Sequence, residues 1–214
     1  MTWAELERAA NQRHLLILGG FHPVDDPALK GIETLILLGP NEPAFWPALK
    51  ASPEWQTPDP VDQWSQRVIG TWAEQIGAQA YYPFGGPPWH PFLAWAQKTG
   101  RIHQSPSGML VHDRAGLFLS FRGALGFRAR LDLPAPPPSP CTSCDAQPCK
   151  SACPVDALKG DHYLVNDCKD HLNAPEGADC TAKGCRARRA CPVSQSWGRL
   201  PEQSAYHMQR FRGG

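Results

Sequence analysis

The first 140 residues of the chain contain no cysteine, although the whole chain has eight. The longest apolar runs, Leu15–Leu18 and Thr34–Leu38, are far shorter than the ~20 residues that a membrane-spanning helix needs. Neither sign of charge predominates, because 21 Lys and Arg balance 20 Asp and Glu to give a formal charge of +1. These absences argue against a membrane partner and against the basic surface on which nucleic-acid binding depends.

The N-terminus, which begins Met1-Thr2-Trp3, lacks a basic stretch followed by an apolar one. We therefore expect no signal peptide and a cytoplasmic location. Thiols stay reduced in the cytoplasm, where a group of cysteines more often binds metal than forms disulfides. With an apolar content of 42% and a charged content of 19%, the composition is that of a globular protein with a real core.

All eight cysteines lie in the last third of the chain, in two blocks that end in Cys-Pro and flank a lone Cys168. The first block reads Cys141-x2-Cys144-x4-Cys149-x3-Cys153-Pro154, and the second reads Cys180-x4-Cys185-x5-Cys191-Pro192. Eight thiolates are what two four-iron (4Fe-4S) clusters need. In two-cluster ferredoxins, the cysteine before the proline ligates the other cluster. This crossing rule gives one set of Cys141, Cys144, Cys149 and Cys191, and a second set of Cys153, Cys168, Cys180 and Cys185.

The spacing differs from that of common two-cluster ferredoxins, so the division of the cysteines between the clusters stays open. The first block has x4 where x2 is usual, and the second block has x4 and x5. Structural zinc is the main alternative, because zinc sites built from four cysteines also use a Cys-x2-Cys pair. Only one such pair is present, and the doubled Cys-Pro favours clusters. Arg186, Arg188 and Arg189 would offset the negative charge of a cluster, or else form a solvated helix face.

A proline-rich stretch, Leu133–Pro140, predicts a stiff and extended linker. We place the linker at residues 134–140, between an α/β domain over residues 1–133 and a small ferredoxin-like domain over residues 141–214. Residues 141–192 are loop-rich, with little periodicity. We therefore expect the second domain to need its metal in order to fold.

Strands alternate with helices in the first domain, which indicates an α/β sandwich. Three helices are predicted. The first begins at a capping box of Thr2 and Glu5, the second begins at Asp59-Pro60 and ends at Gly77, and the third covers Phe92–Lys98. Strands are predicted over His14–Gly19, Glu33–Gly39, Gln79–Phe84, Met109–His112 and Leu117–Phe127.

Two stretches of the first domain resemble motifs of the CblC family of cobalamin-processing proteins, in the same order. They are Asp59-Pro60-Val61-Asp62-Gln63 and the segment from His112-Asp113-Arg114 to Phe121-Arg122-Gly123-Ala124-Leu125. The cysteine-rich part is similar to the dicluster domain of epoxyqueuosine reductases and, more distantly, to that of reductive dehalogenases. Both of those families place this domain directly after a CblC-like domain. The second motif departs from the family at Asp113, where the family has proline, and at Leu117-Phe118, where it has Gly-Trp.

The resemblance implies a nitroreductase-like α+β fold that binds cobalamin without a protein histidine on the cobalt. It implies that the corrin would face Leu110, Phe121 and the helix that carries Phe92 and Trp95. It also implies that Arg122 contacts a reducing thiol cosubstrate, although an ordinary salt-bridged arginine would have the same sequence. Trp89 is a further candidate for stacking on a planar ligand, and His112 either lines the site or is structural.

We predict an iron–sulfur oxidoreductase that passes electrons from an upstream donor through two clusters to the cobalt of a bound corrinoid. The electrons would serve reductive processing of cobalamin or a cobalamin-dependent reduction. Two alternatives stay open: an electron carrier without corrinoid, and an enzyme like epoxyqueuosine reductase. The latter is disfavoured by the near-neutral charge and by the lack of a clear counterpart to the segment that carries its catalytic acid.

Overall fold

The computed structural model describes residues 1–213 as a mixed α/β protein with two compact units. The first unit comprises residues 1–102 and 120–137, and the second comprises residues 103–119 together with the chain from Pro138 onward. The boundary after Pro137 falls inside the predicted linker. Residues 103–119, which the sequence assigns to the first domain, are instead part of the cysteine-rich unit.

The strands and helices of residues 1–213 are as follows. The strands are β1 (Leu15–Phe21), β2 (Thr34–Pro40), β3 (Gln79–Tyr81), β4 (Ile102–Gln104), β5 (Leu110–His112) and β6 (Gly123–Phe127). The helices are α1 (Trp3–Gln12), α2 (Phe45–Lys50), α3 (Pro60–Ile76), α4 (Phe92–Lys98), α5 (Val165–Asn173), α6 (Ala178–Lys183), α7 (Arg186–Ala190), α8 (Pro192–Gln195) and α9 (Pro201–Gly213).

The first unit is built on a four-stranded antiparallel sheet in the order β1-β2-β6-β3. Every residue of β2 and β6 is buried, which is why these strands read as continuous apolar runs. Helix α1 packs against β1, and α3 packs against β3 and β6. The mixed α/β character predicted from the sequence is therefore confirmed, with an antiparallel sheet.

The helices of the first unit agree with their sequence signals. Helix α1 begins at the Thr2–Glu5 capping box, in which each residue's side chain accepts the other's backbone N–H. Helix α3 has Pro60 at its first position and ends at Gly77, whose φ of +67° is the left-handed value that glycine tolerates. Helix α4 spans the predicted residues.

The predicted strand over Leu117–Phe127 is wrong in its first half, because only Gly123–Phe127 forms a strand. The Leu117 N–H donates to Ser194 Oγ in the second unit, whereas the Arg122 N–H donates to the Leu38 carbonyl in the first. The stretch predicted as one strand therefore consists of two segments that belong to different units. Phe121 and Arg122 precede β6 and do not alternate along it, and β3 likewise ends earlier than predicted, at Tyr81.

The second unit consists of β5 and most of β4, which pair in a two-stranded sheet, together with several short helices and the longer α9. Its segment 103–119 turns at Gly108, whose φ is +82° and where a Cβ would lie 2.5 Å from the Gly160 carbonyl oxygen. None of the helices in residues 1–213 has the length and the apolar character that crossing a bilayer requires.

Candidate metal centre

Four cysteines line a cavity of about 400 Å³ in the second unit, which we call the larger cavity. They are Cys153, Cys168, Cys180 and Cys185. Cys168 lies on α5 and Cys180 on α6, while Cys185 immediately precedes α7. The short helices thus bring together thiols that are up to 32 positions apart in the sequence.

The other four cysteines line a second cavity of about 40 Å³, which we call the smaller cavity. They are Cys141, Cys144, Cys149 and Cys191. Cys149 and Cys191 are buried and pack with Val111 and Leu117 in one apolar cluster. Residues 103–119 therefore supply part of the apolar wall of this cavity, which the predicted domain boundary did not anticipate.

The division of the cysteines between the two cavities is the division that the crossing rule gives. The thiol environments follow the same grouping. Burial raises the pKa of Cys141, and the neighbouring Cys149 and Cys191 raise it further. Burial also raises the pKa of Cys168, to which Cys185 and Cys153 add. In each cavity, ionisation of the thiol named is thus disfavoured until a positive charge compensates it.

Thiols are the possible ligands that both cavities share. All eight cysteines are free thiols. Within residues 1–213, no three His, Cys, Asp or Glu side chains are arranged closely enough to hold one metal ion. Zinc needs its four sulfurs about 2.3 Å from one point, whereas an iron–sulfur cluster is itself a body that the thiolates surround. Four soft thiolates around a cavity are the ligand type that such clusters take.

Hydrogen-bond donors surround the thiols of the larger cavity. The Tyr163 hydroxyl donates to Cys168, and the Ala157 N–H donates to Cys153 Sγ at 3.3 Å. The backbone of Arg186 hydrogen-bonds to Cys180. Burial, together with the bond to Cys168, raises the pKa of Tyr163, so this hydroxyl keeps its proton and remains a donor. Tyr163 is not recognisable from the sequence, because it carries no motif and lies outside both cysteine blocks.

The arginines of the second block have three different surroundings. Arg186 is exposed and lines the larger cavity, which Arg188 also lines. Arg188 donates to the Leu117 carbonyl, a neutral acceptor, and so keeps its charge uncompensated by that bond. Arg189 instead forms an ion pair with Asp179. Two of the three arginines therefore stand beside the cavity.

The aromatic residues assigned to the corrin pack among one another in the first unit. Trp95 is fully buried, and its indole N–H donates to Asp26 at 2.9 Å. Phe92 is also buried, and its ring centroid lies 5.8 Å from that of Phe121. Phe92 and Trp95 thus belong to the core of this unit. Trp89, by contrast, is 64% exposed.

Arg122 joins the two motifs that resemble the CblC family. Its guanidinium donates to the Asp62 carboxylate at 3.2 Å, and Asp62 belongs to the Asp59–Gln63 motif. Burial raises the pKa of Asp62, and the charge of Arg122 opposes that rise. Leu110 lies on β5 in the second unit, so the structure does not place it in the same unit as Phe121 and Arg122.

His112 has a structural role in the turn that follows β5. Its Nδ1 accepts the backbone N–H groups of Arg114 and Ala115, both at 3.1 Å, and its side chain is fully buried. The histidine therefore holds the start of the second motif in its turn conformation.

Comparison of the chain with protein-family models, with curated proteins and with solved structures finds no match.

Proposed function

We propose that this protein is an electron-transfer protein that holds two four-iron clusters, one at each cysteine-lined cavity. The observation that carries the proposal is the gathering of eight free thiols, four by four, around two separate cavities of one unit. Each cluster would take up and release one electron at a time.

The chain's own residues suit this role. Eight cysteines supply every ligand that two clusters require, with none left over. Val111 and Leu117 exclude water from the smaller cavity, and Tyr163 and Ala157 donate hydrogen bonds to thiols of the larger one. Such contacts lower the cost of holding a negative cluster away from water.

A reductive titration of the anaerobically reconstituted chain tests this proposal. Because each cluster accepts one electron, we expect the protein to take up two electrons per chain and to release them on reoxidation. Uptake of no electrons, or a colourless protein that holds zinc, would refute the proposal.

The sequence resemblance extends the proposal to the acceptor of the electrons. We propose a corrinoid, held by a nitroreductase-like first unit, with Phe121 and Arg122 as the residues that remain partly accessible to a ligand. The ion pair of Arg122 with Asp62 links the two motifs on which the resemblance rests, and it is also the contact that an ordinary salt-bridged arginine would make. Phe92 and Trp95 would support such a site from the core.

Titration of the reconstituted protein with hydroxocobalamin tests the acceptor separately from the clusters. A corrinoid-binding protein should shift the cobalamin spectrum and retain the corrinoid on gel filtration. Two-electron uptake without any retention of cobalamin would instead identify a plain electron carrier. Retention of tRNA that weakens steeply with salt would favour an enzyme like epoxyqueuosine reductase.

A further inference from the structure

The two cavities differ in the charge and polarity of their walls. Apart from cysteines, the described residues that line the smaller cavity carry no ionisable side chain, and Val111, Leu117 and Val193 make its wall apolar. Ser107 donates to Cys149 there, through its hydroxyl and its backbone. The Ser139 side chain also hydrogen-bonds to Cys141. A cluster at this site would therefore have hydrogen-bond donors around it but no cationic group among the described residues of its wall.

The larger cavity has cationic and donor groups in its wall. Arg186 and Arg188 line it, and the Tyr163 hydroxyl bonds to Cys168. His171 also lines it, and its Nε2 is buried without a hydrogen-bond partner in residues 1–213. The carboxylate in this wall, Asp161, is 84% exposed and is paired with a histidine, so it contributes little negative charge at the thiols.

The walls of the two cavities differ in how strongly they favour the reduction of a cluster. Reduction adds one negative charge, which nearby cations stabilise and an uncharged, apolar wall does not. Hydrogen-bond donors are present at both sites, so the cations of the larger cavity make the difference. Hydrogen bonds to the sulfurs and the net charge around the cluster are among the factors that set its potential.

We infer that the two cluster sites have different reduction potentials, and that the site at the larger cavity is the more easily reduced. This inference rests on the proposed function. The first electron that the protein accepts is therefore held by the cluster at the larger cavity. Tyr163 and Arg186 are groups that contribute to this preference. The cluster at the smaller cavity is the stronger reductant of the two.

An anaerobic redox titration of the full reconstituted chain, followed by electron paramagnetic resonance, tests the inference. The wild-type protein should show two resolved midpoints. Tyr163→Phe removes the hydroxyl donor while keeping the ring that stacks on Phe211, so it should lower only the higher midpoint. Loss of one hydrogen bond to a charged acceptor corresponds to about a tenfold change in the reduction equilibrium, or ~59 mV for one electron.

Arg186→Gln provides a second variant that does not depend on the hydroxyl. It should lower the same midpoint, by less, and by an amount that shrinks as salt is added, because the side chain is exposed. Tyr82→Phe is the matched control: its hydroxyl donates to the Gln66 carbonyl at 3.1 Å in the first unit, so both midpoints should stay unchanged.

Coincident midpoints, a shift of the lower midpoint, or no shift in either variant would overturn the inference while leaving a two-cluster protein in place. A chain that takes up no electrons would overturn the proposed function together with the inference. Measuring iron content before the titration therefore distinguishes the two failures.

Discussion

Cys168 shows at the residue scale how the sequence and the structure combine. It lies outside both Cys-Pro blocks, yet the crossing rule requires it as the eighth ligand. The structure places it on α5 at the wall of the larger cavity, where Tyr163 donates to it. A cysteine that binds no metal would need neither neighbouring thiols nor a hydrogen bond to its sulfur.

Replacing Cys168 should remove one cluster and leave the other. We expect Cys168→Ala to lower the iron content from about eight to about four atoms per chain, because a four-iron cluster needs four thiolates and the smaller cavity keeps its own. Iron analysis after anaerobic reconstitution measures this change. Asn166→Ala, an exposed position on the same helix, should retain all the iron and serves as the control. Full iron content in Cys168→Ala would contradict the ligand assignment.

The segment 103–119 is the feature that matters most at the scale of elements. Gly116 has a φ of +56°, and a Cβ there would lie 2.5 Å from the backbone nitrogen of Ser194. Ser194 lies on α8, which begins one residue after Cys191, and its hydroxyl holds the Leu117 N–H at 2.8 Å. This contact therefore ties the segment to a cysteine of the smaller cavity.

Gly116→Ala should displace α8 and weaken the smaller cavity. Overpacking of this kind costs about 1–3 kcal/mol, to which the left-handed backbone adds about 1–2 kcal/mol. We expect a lower thermal midpoint of the second unit and loss of about four irons per chain. Gly77→Ala is the control, because its φ of +67° gives the same backbone cost while nothing lies within 4 Å of the added Cβ. Equal iron content in the two variants would show that the contact is unimportant for the cluster.

The first unit contains an ion pair whose contribution depends on pH. The Arg67 guanidinium binds the Glu54 carboxylate at both oxygens, one at 2.9 Å, and holds the pKa of Glu54 at about 2 instead of 4.5. Because the pKa is lower in the folded state, the pair stabilises the fold fully above pH 4.5 and loses this effect as the pH falls towards 2. Partly exposed ion pairs contribute about 1 kcal/mol or less to the free energy of unfolding.

Arg67→Met should therefore destabilise the first unit by up to about 1 kcal/mol at pH 7, and by progressively less below pH 4.5. Urea unfolding followed by tryptophan fluorescence measures the difference, since seven of the eight tryptophans precede residue 103. Arg8→Met on the exposed side of α1 is the control. A difference between wild type and Arg67→Met that stays constant from pH 7 to pH 3 would show that Glu54 is not responsible.

Helix ends in the first unit could be predicted from local sequence signals. Features that depend on tertiary contacts could not be predicted. The capping box at Thr2 and the glycine after Ile76 fix helix ends through contacts within one turn, which a sequence displays. The route of residues 103–119 depends on contacts with positions such as Ser194, which no local pattern encodes. The cysteines were recognisable because their spacing is itself the signal, whereas Tyr163 and the apolar wall at Val111 emerge only from the folded chain.

At the scale of the whole molecule, the second unit is assembled from two separate stretches of the chain. A fragment of residues 141–214 is the cysteine-rich domain as the sequence predicts it, but it lacks Ser107, Val111 and Leu117. Because these residues bond to Cys149 or wall the smaller cavity, we expect the fragment to hold about one cluster fewer than the full chain, or to lose iron faster on dilution.

Iron retention by the fragment and by the full chain, measured side by side after the same reconstitution, checks this expectation. A full chain carrying Val24→Ser, an exposed change in the first unit, controls for handling losses. If the fragment kept all its iron as long as the full chain does, the segment 103–119 would be shown to be dispensable for the cysteine-rich unit.

The most direct test of the two-cluster account is the iron and acid-labile sulfide content of the anaerobically reconstituted full chain. Two four-iron clusters predict about eight iron atoms and about eight sulfides per chain, with zinc absent. About four of each would leave one cavity without a cluster, and zinc bound without sulfide would contradict the account altogether.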